Sequence, residues 1–287
     1  MPAPPTRSEL LKGTRLGSYE VGGLIGHGGM GSVFEGSHVA LGKVVAIKVL
    51  HEHIAQIEAM RARFVREAQL ASTLSHPHVV NILDVGVDGQ SAYLVMERLH
   101  GEDLAAHLRR VKKESIEGAL AVFMPVAAAL AFAHERGIVH RDLKPANVFL
   151  ARDRHGELLP KIVDFGLSKQ LTAKDAAVLT DADAVIGTLE YMAPEQTFGT
   201  SRAGPRSDQY SLAAILYEML TGHLPFHRSD TRQLLDAIRY APVVLPSALE
   251  PDLPSGVDDA VVRALSREPE DRFPDVRAFA RALLPFA

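Results

Sequence analysis

The apolar residues of this chain keep mostly strand spacing up to Glu97 and mostly helical spacing after Gly101, and that shift limits the fold more than any other feature. Between Tyr19 and Glu97 they alternate in short runs separated by glycine, the pattern of half-buried strands. Tyr19-Glu20-Val21, Ser32-Val33-Phe34-Glu35 and Lys43 to Val49 read as successive antiparallel strands. Asn81 to Val87 and Ala92 to Glu97 follow, on either side of a turn at Asp88-Gly89. One stretch interrupts them with helical spacing: Ile57 to Leu74 sets Phe64, Ala68 and Ala71 on one face before His76-Pro77 ends it. After Gly101 the spacing is mostly helical, over Asp103–Arg110, Ser115–Arg136, Ser207–Thr221, Thr231–Tyr240, Asp258–Leu265 and Val276–Leu284. Gly137 stops the second of these. Pro125 lies well inside it, where proline costs about 3 kcal/mol or forces a kink, so a bend is predicted there. The outline is α+β: a small antiparallel β-rich part with one main helix, a linker near Arg98–Gly101, and a larger, mainly helical part.

Composition narrows the function classes. The 31 Lys and Arg against 35 Asp and Glu leave a net charge of −4, without the basic excess that nucleic-acid binding needs, so no nucleic-acid partner is expected. The absence of cysteine removes disulfides and thiolate metal sites and fits a reducing compartment, hence an expected cytoplasmic location. No run of 18 or more apolar residues occurs, so no membrane segment is expected. Met1 to Arg7 carries three prolines and no apolar signal-peptide core, and residues 1–18 read as a flexible lead.

Three clusters carry chemistry. Gly26-His27-Gly28-Gly29-Met30-Gly31-Ser32-Val33 is a glycine-rich loop whose backbone can approach phosphates without Cβ clashes. Such a loop alone also marks dinucleotide-binding folds, and Glu52 lies where their ribose acid would be. That reading requires a helix after the last glycine, whereas Ser32 to Gly36 continues as strand. Lys48 ends Val45-Ala46-Ile47-Lys48, a mainly apolar run, and Glu67 on the following helix is an acid that can pair with it; Glu58 is the alternative acid. His140-Arg141-Asp142-Leu143-Lys144-Pro145-Ala146-Asn147 and Asp164-Phe165-Gly166 supply a carboxylate able to orient a hydroxyl, a cation, and two hard oxygen donors.

In this order and spacing the motifs resemble the protein-kinase signature over about Tyr19 to Leu284, and within it the bacterial, eukaryotic-like Ser/Thr kinases. The resemblance implies a bilobal protein-kinase-like fold: lead 1–18 and kinase domain 19–285, divided into an N-lobe over 19–97, a hinge over 98–101 and a C-lobe over 102–285. It implies ATP with Mg²⁺, or Mn²⁺ as the alternative ion, and protein substrates phosphorylated on Ser or Thr. Asp142 becomes the base, Lys144 neutralises the moving phosphoryl group, and Asn147 and Asp164 hold the metal. Lys48 and Glu67 position the α- and β-phosphates under the loop Gly26–Ser32. Ile25, Val33, Ala46 and Phe149 sandwich the adenine, Met96 limits pocket depth, the backbone of Glu97 and Leu99 bonds the base, and Asp103 reaches the ribose. Thr188 bridges Asp142 and Lys144. These groups are expected to converge in one cleft.

The resemblance reaches further. Glu195 should pair with Arg272, and Asp208 should hold the backbone around Arg141. Arg141 before the base implies a phosphate in the activation segment, with Thr180 as the autophosphorylation site, or Asp181 and Asp183 as a partial substitute. A homodimer through the small lobe is compatible with the family. The competing readings are a pseudokinase scaffold, disfavoured because Lys48, Glu67, Asp142, Asn147 and Asp164 are all retained; a dinucleotide-dependent oxidoreductase; and a small-molecule kinase, disfavoured by the segment Gly187 to Glu195.

Overall fold

A six-stranded antiparallel sheet, in the order β1-β2-β3-β4-β6-β5, is built from the first hundred residues. Its strands are β1 (Arg15–Leu16), β2 (Tyr19–His27), β3 (Gly31–His38), β4 (Val44–Leu50), β5 (Ile82–Asp88) and β6 (Ser91–Glu97). The computed structural model describes residues 11–89, 91–165, 189–199 and 202–287. The chain divides into two compact units, one running to Ser75 and resuming over Val80–His100, the other formed by His76–Val79 with Gly101–Ala287.

In the first unit, the pleat of the central strands separates two sets of side chains. Phe34, Val45, Ile47, Val49, Tyr93 and Val95 turn to one face and, with Leu16, Tyr19 and Val21, form its buried cluster. Leu16 belongs to β1, which pairs with β2, so the stretch expected as a flexible lead joins the sheet from Arg15 onward. Burial of Leu16 in the sheet's core cluster and its pairing with Tyr19 both favour this ordering. Val33, Lys48 and Leu94 stand opposite one another in register on the other face, followed by Ala46 and Met96. A short helix α1 (Glu52–Ala55) and the main helix α2 (Glu58–Ser72) follow β4, and α2 packs on β5 and β6. Its buried residues Met60, Phe64, Ala68 and Ala71 recur at the helical period read from the sequence.

The second unit opens with a three-stranded antiparallel sheet of β7 (Gly101–Asp103), β8 (Val148–Arg152) and β9 (Leu158–Ile162). Its helices are α3 (Leu104–Val111), α4 (Ile116–His134), α5 (Pro205–Thr221), α6 (Thr231–Tyr240), α7 (Pro246–Leu249), α8 (Ser255–Ala264) and α9 (Val276–Leu283). Helix α4 is the core: Ser115 caps its start by accepting from the Gly118 N–H, and Gly137, at φ +71°, ends its turn as only glycine does without strain. The helix continues across Pro125. It is long and apolar enough to cross a membrane, but here it packs against α5 and α9. Phe123, fully buried, meets Phe279 edge-on at 5.0 Å, and truncating such a ring costs about 3–5 kcal/mol.

Candidate active site

In the first unit the glycine loop is the β2–β3 hairpin. Gly28 N–H donates to the Gly31 carbonyl at 2.9 Å and Gly31 N–H to the Gly28 carbonyl at 3.3 Å, which closes a two-residue turn at Gly29-Met30. Bulges interrupt β2 between Val21 and Gly26, so Ile25 falls where the register shifts. Gly31 is required by packing, because a Cβ there would stand 2.4 Å from the Val49 carbonyl oxygen. A Cβ at Gly29 would meet nothing within 4 Å, and at Gly26 or Gly28 only ordinary contacts. Lys48 is buried to 8% exposure on the face opposite the core cluster, in register with Val33. Ala46 and Met96 pair directly beside it. Glu67 lies half-buried on α2, while Glu58 is exposed and ion-paired to Arg61. Glu97 N–H donates to the Asn81 carbonyl, and the Leu99 carbonyl accepts from Arg98.

In the second unit a loop of buried polar groups precedes β8. His140 is fully buried; its Nε2 donates to the Val163 carbonyl at 3.2 Å while Nδ1 accepts from Asp142 N–H at 3.3 Å. Those two bonds define the Nε2–H tautomer. Asp142 is 6% exposed, with Lys144 Nζ 3.2 Å from its Oδ2. Asn147 donates through Nδ2 to the Asp142 carbonyl at 2.8 Å, and its own carbonyl accepts from Val163 N–H. Asp164 therefore follows a residue tied to Asn147. Two non-glycine residues of this region have left-handed backbone, Arg141 at φ +67° and Asp164 at φ +60°. Each costs on the order of 1–3 kcal/mol, which the surroundings must offset. For Arg141 the offset is visible: Asp208, at the start of α5, accepts from Arg141 N–H and His140 N–H, both at 2.8 Å, and from His134 Nε2. Phe149 stands on β8 opposite Asp103, whose carboxylate caps α3 by accepting from Ala106 N–H.

A protein kinase domain model matches residues 19–281. The chain belongs to the protein kinase family. It is 40% identical over 274 residues to serine/threonine-protein kinase Pkn1 of Myxococcus xanthus, and 37% identical over 284 residues to PknE of Mycobacterium tuberculosis. These alignments cover 95% and 98% of this chain but 39% and 48% of the relatives, so it spans less than half their length. Among solved structures, the kinase domain of Mycobacterium tuberculosis PknI, as a double mutant, aligns with a TM-score of 0.76 and 30% identity, covering 96% of this chain and 97% of that one. Kinases of this family use ATP and a divalent metal.

Other parts of the kinase domain hold this loop from behind. Arg272 is 1% exposed and forks onto Glu195 at 2.9 and 2.7 Å, the pairing expected from the sequence. Burial pushes the Glu195 carboxyl up, but Arg272 and the Ser207 hydroxyl outweigh it and hold the group below its ordinary value. Tyr191 donates to Glu218 at 2.6 Å, and burial pushes both groups up. Gln196 was not singled out by sequence reasoning, yet its Nε2 donates to the Arg141 carbonyl at 3.0 Å. Arg141 is thus held at both backbone groups, while its Nε has no hydrogen-bond partner among the described residues. Gly166, Thr180, Asp181, Asp183 and Thr188 lie outside the described residues.

Proposed function

We propose that this chain transfers the γ-phosphate of ATP to Ser and Thr hydroxyls of proteins. The observation that carries the reading is the buried Asp142 with Lys144 Nζ at 3.2 Å and Asn147 bonded to its main chain. In the proposed step the substrate oxygen bonds to the γ-phosphorus, the bond to the β-phosphate oxygen breaks, ADP leaves, and the hydroxyl proton passes to Asp142. Lys144 offsets charge on the transferring group. Positioning is most of what a protein can add to this chemistry.

The donor set fits Mg²⁺. The bond from Asn147 Nδ2 commits the amide nitrogen and leaves the amide oxygen, a hard ligand, as the atom that would hold the cation; Asp164 would supply the second oxygen. The metal would neutralise phosphate charge. Lys48 and Glu67 are assigned to the α- and β-phosphates. Val33, Ala46 and Met96, which share a sheet face with Lys48, are assigned with Ile25 and Phe149 to the adenine. Glu97 and Leu99 would bond the base and Asp103 the ribose. The glycine turn fits phosphate as well: the protein's own packing would accept a Cβ at Gly29, at the tip of the turn, whereas an anion lying on the N–H there would not.

Arg141 supports a phosphate switch. Its unsatisfied Nε suits an anion, and Thr180 is the proposed autophosphorylation site, with Asp181 and Asp183 as a partial substitute. Thr188 is assigned to bridging Asp142 and Lys144. The proposal includes a cytoplasmic location, supported by the absence of cysteine, and a homodimer through the first unit, which sedimentation would test. The deciding experiment incubates the chain with γ-labelled ATP, Mg²⁺ and a generic protein substrate beside Asp142→Asn. Label on Ser or Thr that the variant abolishes supports the reading. ATP binding without transfer overturns it in favour of a scaffold.

A further inference from the structure

The hairpin that carries the glycine motif lacks the geometry that normally makes a two-residue turn self-supporting. Such turns match strand twist when one or both central residues take positive φ, whereas the unprimed forms splay the strands. Neither Gly29 nor Met30 is among the residues with positive φ, although glycine would permit it. Something outside the hairpin must therefore hold it, and one residue does so twice. His51 N–H donates to the Met30 carbonyl at 2.9 Å, and its ring Nε2 lies 2.9 Å from the Gly28 carbonyl. A carbonyl only accepts, so Nε2 carries the proton.

His51 directly follows β4, three residues after Lys48, so the strand that presents Lys48 also grips the turn. The ring also runs near-parallel to two others, with centroids 6.4 Å from His27 and 5.8 Å from His53 and interplanar angles of 25° and 13°. His27 in turn bonds through Nδ1 to the hydroxyl of Ser32, its register partner across the hairpin, at 3.0 Å. No three His, Cys, Asp or Glu among the described residues are arranged to hold a metal ion, so this is not a metal site.

We propose that His51 is a positioning residue for phosphoryl transfer: its imidazole pins the Gly28–Gly31 turn in the form that receives the ATP phosphates. The inference rests on the kinase reading above. A turn held in advance does not have to be ordered when nucleotide binds, so loss of the tether appears chiefly in the apparent affinity for ATP.

The test uses the whole chain in four forms: wild type, His51→Leu, His51→Gln and His51→Asn. Glutamine carries an N–H donor close to the position of Nε2, and asparagine is one methylene too short. KM for ATP and kcat are measured at saturating protein substrate, and amide hydrogen exchange over Gly28–Ser32 is followed without nucleotide. His51→Leu and His51→Asn should raise KM for ATP by roughly three- to tenfold, the size of one hydrogen bond. Their kcat should stay within about twofold of wild type, since only ground-state preorganisation is removed. Exchange at the turn should quicken in both, and His51→Gln should restore both readouts. If leucine impairs folding, the glutamine–asparagine contrast decides. An active wild type whose variants share its KM and exchange rates overturns the role of His51 alone, as does a glutamine variant no better than asparagine. A wild type that transfers no phosphate overturns the kinase reading and this role together.

Discussion

Replacing Arg272 by leucine removes a guanidinium whose five N–H donors are all engaged. Nε bonds the Ser266 carbonyl, Nη1 the Arg206 carbonyl and Glu195, and Nη2 the Arg267 carbonyl and Glu195, at 2.7–3.0 Å. The variant strands a partly buried carboxylate and three main-chain acceptors. Breaking a buried pair by removing one partner costs about 3–5 kcal/mol, a large part of a domain's typical net stability. At roughly 2–4 °C per kcal/mol, the midpoint should fall by about 6–20 °C. Calorimetry of the chain measures it. The pair should also couple: Arg272→Leu with Glu195→Leu must cost clearly less than the sum of the single changes, because the double variant buries no lone charge. The depressed Glu195 carboxyl sets the pH dependence. Its stabilisation is complete above its ordinary value, about 4, and is lost as pH falls through the lower folded value, so the gap between wild type and Arg272→Leu should narrow under acid. A midpoint shift below about 2 °C, or strictly additive single changes, would refute the reasoning.

Other outcomes follow from the same geometry. Asp142→Asn should lower the transfer rate by about 10²–10⁴-fold with nucleotide binding retained, as initial rates and a binding titration would show. Asp208→Asn removes the charge that two N–H groups share, and should cost about 2–4 kcal/mol in denaturant unfolding and reduce kcat more than KM for ATP. Gly31→Ala and Gly29→Ala should part company: the first drives a methyl into the Val49 carbonyl and destabilises by about 1–3 kcal/mol, while the second leaves the melting point in place and weakens ATP binding. Thr180→Ala, compared with phosphatase-treated wild type, should lose activity; unchanged activity in both would favour Asp181 and Asp183.

Much of this was legible from residue order. The period change placed the two parts, the helical spacing in 57–74 gave the buried face of α2, and the pairing of Glu195 with Arg272 and the grip of Asp208 on Arg141 followed from motif resemblance. The small sheet β7-β8-β9 was not legible. Its strands are three to five residues long, and Pro160 within β9 argues against a strand. The structure accommodates that proline because β9 is an edge. His51 and Gln196 were missed for another reason. Each acts through a main-chain carbonyl, and nothing in a side chain's identity announces a bond to a backbone group 23 or 55 residues away.

The reach of Asp208 also sets a timetable. Arg141 takes its unfavourable backbone form by leaning on a carboxylate that lies 67 positions later in the chain. During synthesis at about 5–20 residues per second, the segment bearing Asp142 leaves the ribosome roughly 3–13 s before the residue that straightens it. A nascent polypeptide therefore carries Asp142, Asn147 and Asp164 before the carboxylate that holds the Arg141 backbone is available, and that loop sets only once α5 has emerged and docked.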